Sequence, residues 1–206
     1  MRHTGYLLLP LLLATASCGR ESTGPVDIAN DVMAPQAEQS AQAEPAEAML
    51  TAEGWGPLRI GMTRTEVEAA AGPDADPDAV GGPEPDRCDQ FRPARAPEGL
   101  LAMVEDGRLT RISLIRDSRL RTGDGFGLGT PAAEIMARLG DAARVSPHKY
   151  AEAPAEYIDH WAPGVVVTPN VENPAARGIR YEIGGDGRVQ AIHAGGPAIQ
   201  YVEGCA

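Results

Sequence analysis

The run Ile60–Gly72, IGMTRTEVEAAAG, returns without a gap as Leu128–Gly140, LGTPAAEIMARLG, and this echo restricts the possible folds more than anything else in the chain. Each copy reads as a strand end, a tight turn and a short helix stopped by glycine. In the first copy Leu58, Ile60 and Met62 alternate with Arg59 and Gly61, the pattern of a half-buried strand. Thr63 is a good N-cap, and Glu66 three residues later completes a capping box. Val67, Ala70 and Ala71 share one helical face, and Gly72-Pro73 ends the run. In the second copy Phe126 and Leu128 stand where Leu58 and Ile60 stand. Thr130 is placed to cap, Pro131 to take the first helical position, and Ala132, Ile135, Met136 and Leu139 to form the buried stripe. Glu134 and Arg138 are spaced as an exposed i, i+4 pair.

A second echo follows the first. Glu105-Asp106-Gly107-Arg108-Leu109 resembles Gly185-Asp186-Gly187-Arg188-Val189, and an Asp-Gly pair between β-rich flanks is a strong hairpin signal. The first hairpin is expected to join Leu100–Glu105 to Arg108–Ile115, the second Ile179–Ile183 to Arg188–Ala194. The second unit is the longer, and its extra length falls around Val145–Thr168, with strand-like Tyr157–Trp161 and Val165–Thr168. The predicted fold is therefore α+β: two tandem helix-plus-antiparallel-sheet repeats, 54–122 and 123–206, sharing a continuous or adjacent sheet.

The N-terminal region carries a different signal. Arg2 precedes the apolar run Tyr6–Ala14, too short to span a bilayer but suited to an export signal over residues 1–17. Thr15-Ala16-Ser17 before Cys18 resembles the bacterial lipobox, in which that cysteine is lipidated. Cleavage after Ala16 would instead leave Cys18 a free thiol. By resemblance to lipoprotein sorting, Gly19 after the cysteine favours the outer membrane over other envelope locations, with the body facing the periplasm. Residues 18–53, rich in Ala, Glu, Gln and Pro, hold too little large apolar surface to fold and are expected to be a disordered acidic tether. If Cys18 is acylated, Cys88 and Cys205 remain, and in an oxidising compartment they read as one disulfide. The chain has 29 acidic against 18 basic residues and a net charge of −11, which argues against nucleic acid as a partner.

A helix opened by Gly61-Met62-Thr63-x-x-Glu66-Val67, closed by Gly72 and followed by strands, in tandem and behind such a signal, resembles two groups. One is the small outer-membrane-assembly lipoproteins of the BamE/SmpA type, and the other is the secreted β-lactamase inhibitor protein. The resemblance implies helix-plus-sheet repeats and a role in binding other proteins. The two cysteines depart from the inhibitor, in which each repeat holds its own bridges.

Reactive motifs are sparse. Asp74-Ala75-Asp76-Pro77-Asp78 lacks the Gly and Glu of a calcium loop. Gly125-Phe126-Gly127-Leu128-Gly129 is neither GxGxxG nor a Walker loop, and it suits a tight turn into a helix. Arg108, Arg111, Arg116, Arg119 and Arg121 cluster against Asp117 alone and suit an anionic partner or a solvent-facing strand. Tyr150, Tyr157, Tyr181, Tyr201 and Trp161 all lie in the second unit, with His148, His160 and His193. The candidate binding surface is Tyr150, Tyr157, His160, Trp161 and His193 together with Arg108, Arg111, Arg116 and Arg119. No catalytic residue, metal site or cofactor is expected. The sequence thus points to a non-catalytic envelope lipoprotein that binds another envelope protein. The alternatives are an inhibitor of a periplasmic or secreted hydrolase, and a small-ligand or glycan-binding module with Tyr150, Tyr157 and Trp161 lining its pocket.

Overall fold

A computed structural model describes residues 48–78 and 81–205. The export signal, Cys18 and the tether as far as residue 47 lie outside the described residues. Packing already includes Leu50, which is fully buried and whose N–H and C=O bond to Arg121 O and Gly123 N.

The chain is mostly β. In order come β1 (Gly54–Trp55), β2 (Leu58–Arg59), α1 (Arg64–Ala71), β3 (Cys88–Phe91), β4 (Leu100–Glu105), β5 (Arg108–Leu114), α2 (Ala132–Leu139), β6 (Ala143–Pro147), β7 (Glu156–Trp161), β8 (Gly178–Ile183) and β9 (Val189–Gly195). β1 and β2 form a two-stranded ribbon, and the other seven strands form one antiparallel sheet in the order β3-β4-β5-β9-β8-β7-β6. This overturns the α+β expectation of two helix-plus-sheet repeats. Each helix has only eight residues, about 12 Å of length, and cannot form a layer over seven strands that span about 29 Å. Capping signals mark where a helix starts; they say little about how much of a chain is helical.

The local signals fare better than the sum built from them. At α1 the full capping box forms: Thr63 Oγ1 accepts from Glu66 N, and Glu66 Oε2 accepts from Thr63 N at 2.7 Å. Val67 and Ala71 are buried. At α2 the cap shifts. Pro131 takes the N-cap position without a side-chain bond, and Thr130 Oγ1 instead accepts from Gly127 N at 3.1 Å, inside the turn. Arg138 pairs with Asp124 at 3.4 Å rather than with Glu134. Each helix start is tied to a hairpin: Arg108 donates to Gly61 O at 3.0 Å and Arg188 to Gly129 O at 2.9 Å.

Both expected hairpins exist. Asp106 and Gly107 have φ of 47° and 75°, as a two-residue turn between right-twisted strands requires. The second turn is longer, closed by Gly184 N donating to Arg188 O at 2.8 Å, with only Gly187 at positive φ in its Asp-Gly pair. Val165–Thr168 is not a strand, whereas β3 and β6, which carry no clear alternation, are.

Alternation assigns the sheet two faces. Ile112, Leu114, Ile158, Tyr181 and Ile192 pack with Val67 and Ile135 of the helices into the main core. The opposite face combines polar residues with Met103, Tyr157 and Trp161, and these too are buried. A strap from Gly196 to Cys205 crosses it, including a 3-10 turn at Pro197–Gln200. The Cys88–Cys205 disulfide ties the strap down across a separation of 117 residues. Among the described residues no helix is long and apolar enough to cross a membrane.

Candidate polar site beneath a disulfide-tied strap

The polar face is assembled by register. Ser113 on β5 lies opposite His193 on β9, His193 opposite Arg180 on β8, and Arg180 opposite Asp159 on β7. Ser113 Oγ and His193 Nδ1 are 2.8 Å apart. The other ring nitrogen, Nε2, lies 3.5 Å from Glu182 Oε2. Glu182 also accepts from Gln190 Nε2 at 2.7 Å and faces His148 Nε2 at 3.1 Å. These bonds, the one with His193 first, hold the Glu182 carboxyl down at about 2, against the opposing effect of burial. Burial pushes the His193 imidazole down to about 4, and Arg111 and Arg180 add to this while Glu182 opposes it.

Two histidines and a carboxylate resemble a metal set, but their hydrogen bonds argue otherwise. Tyr150 N donates to His148 Nδ1 at 3.1 Å, so the proton of the neutral ring sits on Nε2 and points at Glu182. A ligating nitrogen must be free of its proton. Among the described residues no group of three His, Cys, Asp or Glu side chains is arranged to hold a metal.

Two arginines secure the strap. Arg111, only 3 % exposed, donates to Ala198 O at 3.2 Å, Tyr201 O at 2.9 Å and Gln90 Oε1 at 2.9 Å. Burial lowers its pKa to about 10, so it remains charged at neutral pH. Arg180 donates to Gln200 O at 3.1 Å and holds Asp159 through both carboxylate oxygens. Ile199 of the strap packs with Trp161, Val171 and Ala176. Lys149 and Glu203, 3.4 Å apart, join the strap to the loop between β6 and β7.

The residues singled out in the sequence are divided by this arrangement. Arg111, Tyr157, Trp161 and His193 share the covered face. Tyr157 is 4 % exposed, stacked on His148 at 4.8 Å and beneath Arg180 at 4.7 Å. Trp161, 7 % exposed, rests against Gly178 and is not part of an open aromatic platform. His160 points the other way, its neighbour across the ladder being Ile179. Arg108 is exposed at the start of β5, Arg116 in the turn after it and Arg119 in the loop beyond, and Arg111 is separated from them by burial. Tyr150 is 62 % exposed and lines an open cleft of about 830 Å³ formed by Val145–Glu156, which neither Tyr157 nor Trp161 lines.

Sequence reasoning missed Ser113, Asp159, Arg180, Glu182 and Gln190. Their signal was present: Arg180 and Glu182 alternate with Ile179, Tyr181 and Ile183. Polar residues at alternate strand positions read as solvent-facing, and only the strap makes them interior. No known protein family matches the chain, and no curated protein or solved structure matches it.

Proposed function

We propose that the chain is a non-catalytic binding module of the cell envelope, anchored through a lipidated Cys18 at the outer membrane and acting on another envelope protein. The observation that carries this reading is the disposition of the reactive side chains. Ser113 is 2 % exposed, and the residues of its Ser–His–Glu chain lie within strands whose N–H groups are committed to the ladder. An acyl-transfer site needs free donors aimed at the developing oxyanion, and interior strand positions supply none. Arg111 and Arg180 are engaged by the strap. What the body offers outward is Tyr150 beside its cleft and the exposed arginines Arg108, Arg116 and Arg119. A disulfide suits an oxidising envelope compartment, and the Gly61–Gly72 motif resembles that of assembly lipoproteins.

Site-specific photocross-linking in intact cells tests this reading. A photoreactive residue at position 150 should capture one envelope protein, and the same protein should be lost or weakened when Tyr150→Ala is combined with a neighbouring probe. Absence of a specific adduct from positions 150, 108 and 119 alike would overturn it. Palmitate labelling that persists in Cys18→Ser would overturn the anchor.

A further inference from the structure

His148 is held by two hydrogen bonds that respond differently to a second proton on its ring. Tyr150 N–H can only donate, so Nδ1 accepts it at 3.1 Å and carries no proton of its own. Nε2 carries the proton of the neutral ring and donates it to Glu182 Oε1 at 3.1 Å. A second proton therefore has one place to go, which is Nδ1. There it turns an acceptor into a donor that faces another donor, while the bond to Glu182 becomes a charge-assisted one. The bond that is lost is the one that fixes Tyr150. Among the described residues Tyr150 N–H has no other acceptor.

The charges around the ring come from three elements. β8 supplies Glu182, which also meets His193 and Gln190. β7 supplies Tyr157, stacked on the imidazole at 4.8 Å, with the Arg180 guanidinium 4.7 Å from the Tyr157 ring. The loop between β6 and β7 supplies Lys149, paired with Glu203 at 3.4 Å, and Glu152, with Glu156 at the start of β7. Glu182 is held at about 2 and His193 at about 4, so both keep their neutral-pH charge across the mildly acid range in which imidazoles change theirs. We propose that His148 is a proton-operated latch on the surface that carries Tyr150. Neutral, it fixes Tyr150 beside the cleft formed by Val145–Glu156. Protonated, it frees a loop that a partner must then order again, and binding weakens. This regulation rests on the partner reading above, although the latch itself does not.

NMR of the intact, disulfide-bonded chain provides the test, with the His148 ring nitrogens and the Tyr150 and Ile158 amides followed from about pH 7.5 to about pH 5.5. The ring should start with its proton on Nε2 and take up a second on Nδ1. In step, exchange of Tyr150 N–H, corrected for its intrinsic pH dependence, should rise about tenfold or more while Ile158 in the core is unchanged. His148→Gln offers a carboxamide acceptor and donor but takes up no proton, and should keep Tyr150 protected throughout. In cells, the adduct from a photoreactive residue at position 150 should fall at least about fivefold over the same range with His148 present and hold steady in His148→Gln. A ring that stays neutral throughout, a Tyr150 amide that ignores its protonation, or the same release in His148→Gln overturns the latch. The NMR arm needs no partner, so its failure is distinct from failure of the partner reading, and an adduct yield that ignores pH overturns the regulation.

Discussion

Arg180 grips Asp159 from the neighbouring strand through two parallel bonds, Nε to Oδ1 at 2.7 Å and Nη2 to Oδ2 at 2.8 Å, with each side chain about 10 % exposed. The pair also sets the strap, because Arg180 Nη1 reaches Gln200 O. Removing one partner leaves the other charge buried. Asp159→Asn should therefore cost about 3–5 kcal/mol in urea unfolding. Replacing both residues together by Leu and Met should recover most of that loss, since a buried ion pair contributes little net stability over well-packed apolar groups.

The disulfide closes a long loop. Cys88→Ser with Cys205→Ser should lower stability by about 4 kcal/mol, chiefly through greater freedom of the unfolded chain. Hydrogen exchange should show the first loss of protection at Ile199 and Tyr201, whose N–H groups bond only within the strap, to Gly196 O and Ala198 O. An unchanged unfolding midpoint would contradict the strap's dependence on the bridge.

Acid should loosen the covered face. The His193 imidazole is held at about 4 by burial in the fold, against 6.5 in the unfolded chain. Between those values the unfolded chain binds a proton that the folded chain refuses. Stability therefore falls as pH drops through that window, by about 3 kcal/mol in all. Glu182, held at about 2 against 4.5, adds a further loss below pH 4.5 as it is protonated. Urea titrations from neutral pH down to pH 4 measure the first slope, and His193→Gln should flatten it.

Gly178 has no room for a side chain. A Cβ there would stand 2.6 Å from the Trp161 ring and 3.0 Å from His160 O. Gly178→Ala should displace the indole, cost about 1–3 kcal/mol and red-shift the Trp161 fluorescence. Trp55, fully buried with its indole N–H bonded to Ala48 O at 2.8 Å, should not respond; a Trp55→Phe background isolates the signal.

Thr63→Ala removes a side-chain cap that is present in full and should cost about 1 kcal/mol. Thr130→Ala acts differently. It strands the buried Gly127 N–H in a turn, so its effect should fall on the Thr122–Thr130 loop while leaving helix content unchanged by circular dichroism.

Those two threonines show what was legible and why. Thr63 and Thr130 stand one place apart in a repeated motif, Thr63 matching Pro131 and Thr130 matching Met62, and the motif correctly announced two short helices. Capping depends on residues three apart, which local sequence contains. Asp106-Gly107 was equally readable, because its turn is decided by two residues' φ angles. Nothing comparable announced β3 or β6. Cys88–Phe91 and Ala143–Pro147 are strands because β4 and β7 lie beside them, and pairing is a property of the neighbour.

The sequence by itself determined the caps, the first hairpin turn, the apolar alternation of the central strands and, once Cys18 is set aside, the pairing of Cys88 with Cys205. Each follows from torsional preference, from short-range hydrogen bonding or from counting thiols. The tertiary structure alone decided that the chain is one broad sheet with two minor helices, and that its polar face is interior. Arg111 reads like its neighbours Arg108 and Arg116 along the chain. It differs because a strap some ninety residues later lays two carbonyl oxygens against it. Burial is set by what arrives from far along the chain, and a local pattern of charge and alternation carries no record of that arrival.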